Sequence, residues 1–247
     1  MDFNKLIEKR NYVNDNLSKL DSAVIENYEK AFAVDFTHNS TAIEGNNLTL
    51  METKLLLEDK LTVGGKDLRE QYEVTNHGKA WEYVKTCVND EKSLSEDILK
   101  ELHALIMENI MVGGIYRTVE VKITGAEHTP PHPEQAYNDL KNFYISLEEH
   151  NYNDLEISAY THAEFVKIHP FVDGNGRISR IIMNYQLLKQ GFLPISIKKE
   201  DRFKYYETLD EYAVKGNLEP FTKIIYDLEE EQLDFYIKAI KDTIGKE

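Results

Sequence analysis

The chain has 247 residues, 41% hydrophobic and 30% charged, the make-up of one large globular unit rather than of a disordered or fibrous chain. Its 44 acidic and 29 basic side chains leave a net charge of −15, a surface that repels a phosphate backbone and argues against nucleic acid as a partner. Cys87 is the only cysteine, which excludes an internal disulfide and a cysteine metal cluster, and no apolar run reaches the length of a membrane span.

Met1–Arg10 is charged and amphipathic, unlike a signal peptide, so the expected location is cytoplasmic with no membrane partner. Phe3, Leu6/Ile7, Val13, Leu17 and Leu20 recur at helical spacing and predict a first helix. Val24/Ile25, Tyr28, Phe32 and Phe36 predict a second. Thr49 three residues before Glu52 is a capping box, so a helix should start near Leu50 and run through Leu55–Leu57. Gly64-Gly65 breaks the chain before a longer pattern with Leu68, Tyr72, Trp81, Val84 and Val88. Ser95 is placed to cap a helix carrying Ile98/Leu99, Leu102, Leu105/Ile106 and Ile110.

One stretch has a different period. Val119, Val121 and Ile123 alternate with Glu120, Lys122 and Thr124, and Gly125 follows. The prolines of His128-Thr129-Pro130-Pro131-His132-Pro133 cannot continue a strand ladder, so the pattern predicts a short β-hairpin with a rigid exit. The predicted fold class is therefore all-α with one short hairpin flap, whose edge could pair with a peptide.

Leu155, Ala159, His162, Phe165/Val166 and His169 form the face of a further helix, which Pro170 should end near His169. Ile178, Ile181/Ile182, Tyr185 and Leu188 mark the next, stopping before Gly191. Another spans Asp201 to Lys215 with Phe203, Tyr206, Leu209 and Ala213. Pro220-Phe221 opens the last, through Ile224/Ile225, Leu228 and Phe235. Its acidic run Glu229-Glu230-Glu231 reads as a solvated face. No repeat or low-complexity tract is visible.

Between the two helices of the middle region lies His169-Pro170-Phe171-Val172-Asp173-Gly174-Asn175-Gly176-Arg177-Ile178-Ser179-Arg180. Asp-Gly-Asn-Gly alone is a tight turn, and a lone histidine before proline is a helix end. A calcium loop would need acidic or amide ligands at alternate positions and a late glutamate, but Arg177 and Ser179 stand there instead. Taken together, the stretch supplies a base, a cation ligand, a bed of backbone N–H groups at a helix N-terminus and two arginines one turn apart. Those are the parts needed to hold a nucleoside triphosphate and move a phosphate.

The loop resembles the signature of the Fic family of protein AMP-transferases, His-Pro-Phe-x-Asp-Gly-Asn-Gly-Arg-x-x-Arg, with every fixed position filled. The likeness extends to Gly114-Ile115-Tyr116-Arg117, Pro130-Pro131-His132-Pro133, Tyr205-Tyr206 and Pro220-Phe221, roughly Phe36 to Tyr226. Ser40-Thr41-Ala42-Ile43-Glu44-Gly45-Asn46 resembles the inhibitory motif of the class that carries it ahead of the core.

The resemblance implies AMP transfer from ATP to a Ser, Thr or Tyr hydroxyl of a target protein, with His169 as general base and Asp173 holding Mg²⁺. It implies that Gly174, Asn175 and Gly176 cradle phosphates and that Arg177 and Arg180 clamp the distal ones. Gly125, Ala126, Glu127 and His128 would lie against the nucleotide. Tyr205 and Tyr206 are candidates for the adenosine pocket, or core packing. Glu44, supported by Ser40, would pair with Arg180 and displace the γ-phosphate by like-charge competition. The same carboxylate could orient a water for removal of AMP, and pairing of copies into a homo-oligomer would offer a way to regulate it.

The implied organisation is an N-terminal helical region over 1–100 with the inhibitory helix near 36–45, a catalytic core over 101–226 and a C-terminal helix over 227–247. Two other readings of the residues stand beside this one. One is a metal-dependent hydrolase using His128, His132, His162 and His169. The other is a nucleotide-binding regulatory module silenced by Glu44.

Overall fold

A computed structural model describes residues 1–245. Ten α-helices follow one another: α1 (Phe3–Asn16), α2 (Ser22–Ile43), α3 (Leu50–Leu57), α4 (Leu68–Asn89), α5 (Glu96–Ile106), α6 (Pro133–Glu148), α7 (Glu156–Ile168), α8 (Asn175–Lys189), α9 (Arg202–Lys215) and α10 (Glu219–Ile244). Short 3₁₀ turns at Leu17–Lys19 and Lys199–Asp201 complete the described secondary structure.

The capping chemistry is as the sequence predicts. Thr49 and Glu52 bond reciprocally as a capping box, and Ser95 Oγ accepts from Ile98 N–H. The first predicted helix stops at Asn16 and tightens into a 3₁₀ turn before Leu20, and α5 ends at Ile106 rather than Ile110. Helix α6 has no counterpart among the predicted elements: Pro133 sits in its first turn, and Ala136, Leu140 and Phe143 are buried at helical steps.

The hairpin expectation is corrected: no strand occurs among the described residues. The alternation of Val119, Val121 and Ile123 is real, but no second segment pairs with it, and Val119 stays exposed. Two strands with no sheet behind them are marginal in water. Side chains hold the segment instead. Arg117 donates to the carbonyls of His169 (2.8 Å), Val119 (3.0 Å) and Pro131, and Asp210 accepts from Glu127 N–H at 3.2 Å.

Helix α8 is the axis of the molecule. Residues on all its sides are buried, Ile178, Ile181, Ile182, Met183 and Tyr185 among them, and α2, α4, α5 and α7 pack around it. A helix enclosed this way keeps its N-terminus where the neighbours place it. Helices α1 and α10 pack together at the periphery, α9 lies on α7 and α10, and α3 sits on a small satellite core of Leu48, Leu56 and Val74. The acidic run of α10 is also corrected: Glu229 is wholly buried, with its Oε1 accepting from Leu193 N–H at 2.9 Å.

Candidate active site

The α7–α8 junction is shaped by two left-handed residues. His169 caps α7 at φ 52°, where Pro170 forbids a further helical turn, and its N–H still bonds to Phe165 O at 3.0 Å. Gly174 caps the start of α8 at φ 83°, a conformation that favours glycine. Just after Gly174, Asn175 folds the loop onto itself, its amide accepting from Phe171 N–H at 3.0 Å and donating to Phe171 O at 2.9 Å. Phe171 is fully buried and stacks on His103 at 3.8 Å between ring centres. The first intrahelical bond of α8 is Ile178 N–H to Gly174 O, so the N–H groups of Asn175, Gly176 and Arg177 have no partner within the helix. They form the anion-attracting end of the helix.

Facing this end stands the C-terminus of α2. Its last turns bury Thr37, His38, Asn39, Ser40 and Thr41, which a soluble helix tolerates only when polar groups find partners. Thr37 Oγ1 and His77 Nδ1 are 3.0 Å apart, and Asn39 reaches Ser196 Oγ at 3.3 Å. The helix closes in a Schellman turn: Gly45 N–H bonds to Ala42 O (3.0 Å), Asn46 N–H to Thr41 O (3.2 Å), and Gly45 adopts φ 101°. Glu44 occupies the cap position of this turn, with its side chain projecting over Gly176.

Arg180, fully buried on α8, holds this arrangement together. Its Nη2 lies 2.8 Å from Glu44 Oε1 and donates to Ser40 O at 2.7 Å. Its Nε donates to Ser40 Oγ at 2.9 Å, and its Nη1 donates to Tyr205 OH at 3.3 Å. Burial pulls the guanidinium's pKa down, but the Tyr205 and Glu44 oxygens outweigh it and hold its proton above the ordinary arginine range. Behind it, Tyr205 OH is 2.8 Å from His162 Nε2, which also lies 3.1 Å from Ser179 Oγ. Burial, reinforced by the Arg180 charge, keeps His162 neutral.

Glu44, His169, Gly176 and Arg180 line one cavity of about 740 Å³, together with Gly125, Ala126, His128, Tyr205 and Tyr206. That volume suits a nucleotide-sized ligand. His169 Nδ1 lies 3.2 Å from Val166 O, and a carbonyl can only accept, so Nδ1 carries the proton and Nε2 keeps its lone pair. Burial lowers the His169 pKa, opposed by Val166 O and by Glu44. Tyr206 OH donates to Ile43 O at 3.2 Å, next to Glu44. Glu127 engages through its backbone, on Asp210. His128 is held by its ring, with Nε2 2.9 Å from Lys167 O.

Asp173 and Arg177 form a second cluster outside the cavity lining. Asp173 Oδ1 accepts from Gly174 N–H (2.6 Å) and Arg177 Nη2 (3.0 Å), and its Oδ2 from Arg69 Nη2 (2.7 Å). Burial works against the charge of Asp173, yet Arg177, the Gly174 N–H and Arg69 together keep its carboxyl below the usual range, so it is ionised. An ionised, part-exposed carboxylate beside a phosphate bed fits Mg²⁺, which takes one or two carboxylates and fills its octahedron with phosphate and water oxygens. Sequence reasoning missed Arg69, Glu73 and Asp210. They reach the site from α4 and α9, and no local pattern marks them.

The hydrolase reading loses its ligands here. His162 is enclosed on Tyr205 and Ser179, and no group of three or more His, Cys, Asp or Glu among the described residues is placed to hold a metal ion.

A helix-enclosed N–H bed, an imidazole at the mouth and a carboxylate on the buried arginine give the cavity the chemistry to take an anionic ligand. Residues 93–187 match the model of the Fic/DOC family, and the chain carries a Fic domain. It is 32% identical over 226 residues to a protein adenylyltransferase Fic of Drosophila persimilis, covering 90% of this chain and 44% of that one. With the protein of the same name from Nematostella vectensis it shares 34% over 208 residues, covering 82% and 48%. A Fic-domain-containing signalling protein from Bacteroides thetaiotaomicron superimposes with a TM-score of 0.86 at 26% identity, covering 97% of both chains. The chain spans about half the length of the curated relatives it matches.

Proposed function

We propose that this protein transfers AMP from ATP to a hydroxyl of a target protein and that Glu44 holds the reaction off. The observation that carries the reading is the Glu44–Arg180 pair at 2.8 Å, set over Gly176 in the cavity that also holds His169. The curated relatives named protein adenylyltransferase support the choice of reaction.

His169 Nε2 takes the proton of the incoming Ser, Thr or Tyr hydroxyl as its oxygen bonds to the α-phosphorus. The bond from that phosphorus to the bridging oxygen breaks, and pyrophosphate leaves. The N–H groups at the start of α8 face the phosphate oxygens, and Arg180, once free of Glu44, neutralises the distal ones. Asp173 would hold Mg²⁺, which supplies charge neutralisation on the departing pyrophosphate. Tyr206 and the 125–128 segment border the space for the adenosine, and Arg177 keeps Asp173 in place. With Glu44 on Arg180 the γ-phosphate has no seat, and a misplacement of about an ångström costs on the order of a hundredfold in rate. The Glu44 carboxylate, which lines the cavity, would also orient a water for the reverse removal of AMP.

The test compares wild type, Glu44→Gly and His169→Ala given ATP labelled at the α- or the γ-phosphate. Transfer of α-label by Glu44→Gly, absent in His169→Ala, is the expected result. Transfer of γ-label would make the protein a kinase, and no label on any protein would favour the silent regulatory module.

A further inference from the structure

The outer oxygen of Asp173 is taken by an arginine from another part of the chain. Arg69, in the first turn of α4 and 104 residues away, places its Nη2 2.7 Å from Asp173 Oδ2. Among the described residues it is the only side chain that bonds this oxygen; Gly174 N–H and Arg177 bond Oδ1. Arg69 has little else to do there: its side chain is 56% exposed, and its remaining bond runs from Nε to Glu73 Oε1 at 3.2 Å, one turn along α4. Glu73 is firmly set, since its Oε2 accepts from Asn46 Nδ2 at 2.9 Å.

We propose that Arg69 is a positioning residue that stands in for the cation at Asp173, so that Mg²⁺ enters by exchange with its guanidinium and Arg69 sets how much Mg²⁺ the site requires. The inference rests on the reading of Asp173 as the Mg²⁺ carboxylate. The charge arithmetic of the cluster supports it. Asp173 and Glu73 balance Arg69 and Arg177, and a divalent ion added to that quartet would sit against two guanidinium groups. Arg69 is the one that can leave. Arg177 is buried, whereas Arg69 lies in solvent with Glu73 retaining its Nε after exchange. While no cation is bound, Arg69 keeps the carboxylate oriented; when one arrives, Arg69 competes with it.

The test measures ADP binding to the full chain across a Mg²⁺ titration. Its readout is the Mg²⁺ concentration at half-maximal nucleotide binding, independent of turnover. Arg69→Gln should lower that midpoint about fivefold, the scale of a part-exposed ion pair, with Arg69→Lys in between because it keeps the charge and loses the fork. Lys66→Gln, a half-buried cation three residues earlier that pairs with Glu52, should leave the midpoint where it is. An unchanged or raised midpoint in Arg69→Gln, or an equal fall in Lys66→Gln, overturns the role of Arg69 if Asp173→Asn abolishes the Mg²⁺ dependence. If Asp173→Asn keeps the wild-type Mg²⁺ dependence, the underlying reading of Asp173 falls instead.

Discussion

Glu44 and Arg180 meet at 2.8 Å across 136 residues of sequence, and the carboxylate lies so close over Gly176 that a Cβ there would collide with it. Under the proposed reaction, the pair would close the seat a distal phosphate needs, using the guanidinium that would bind it. A carboxylate at a helix N-terminus is also favoured by the helix dipole, so the closed state costs the fold little.

Removing the carboxylate should open the seat. Glu44→Gly is expected to raise self-labelling from α-labelled ATP about tenfold to a hundredfold over wild type. Ser40→Ala should raise it less, because Ser40 O still holds Arg180 Nη2 when the hydroxyl at Nε is gone. The same variant leaves a buried Nε unpaired and should lose about 1–3 kcal/mol in urea unfolding. Equal labelling by Glu44→Gly and wild type would show that the pair is not a brake.

The pH profile reports the state of His169. The base must be neutral, and burial, with Arg117 adding to it, depresses its pKa below the ordinary 6.5. The acid limb of kcat/KM in Glu44→Gly should therefore lie below pH 6.5, with a plateau at neutral pH and above. Glu44 raises the His169 pKa, so its removal should move the limb further to acid than in the residual wild-type activity. A limb at or above pH 6.5 would contradict the buried imidazole.

Glu229 makes a prediction about stability alone. Burial pushes its pKa from 4.5 to about 8, against the opposing Leu193 N–H and Arg10. A folded pKa above the unfolded one gives a contribution that is full below pH 4.5 and lost as pH rises to 8. Unfolding free energy should fall across that window by on the order of a few kcal/mol. Glu229→Gln, which keeps an acceptor for Leu193 N–H, should flatten the slope and be the more stable protein at pH 8. Parallel pH dependence in the two proteins would refute this.

Gly174 is constrained twice. At φ 83° a side chain is strained, and a Cβ would stand 2.5 Å from Met107 Cε and 3.3 Å from Ile106 Cγ2. Gly174→Ala is expected to cost about 1–3 kcal/mol in thermal or urea unfolding. It should also weaken nucleotide binding, because Asp173 and the α8 N–H groups shift with the turn. Wild-type stability in this variant would mean the loop is less tightly set than its geometry states.

Much of this could be read from the chain alone. Helical periodicity and capping residues located nine of the ten helices, because those signals act over a turn or two. The 169–180 loop could be read as a candidate phosphate site because its chemistry is contiguous: imidazole, carboxylate, glycines and arginines within twelve residues. The hairpin failed because alternation reports a two-faced segment, whereas a strand also needs a partner that no local pattern supplies. Glu229 failed likewise, since a charge run carries no sign of which member the α8–α9 connection will cover. Apart from the Glu44–Arg180 pair, expected from the family resemblance, the relations between distant helices required the folded molecule. Arg69 on Asp173, Asp210 on the 125–128 segment, Tyr205 between Arg180 and His162, and Glu44 over Gly176 all depend on how α2 and α4 pack on α8 and how α9 packs on α7. Packing is set by the fit of whole surfaces, and sequence spacing does not encode it.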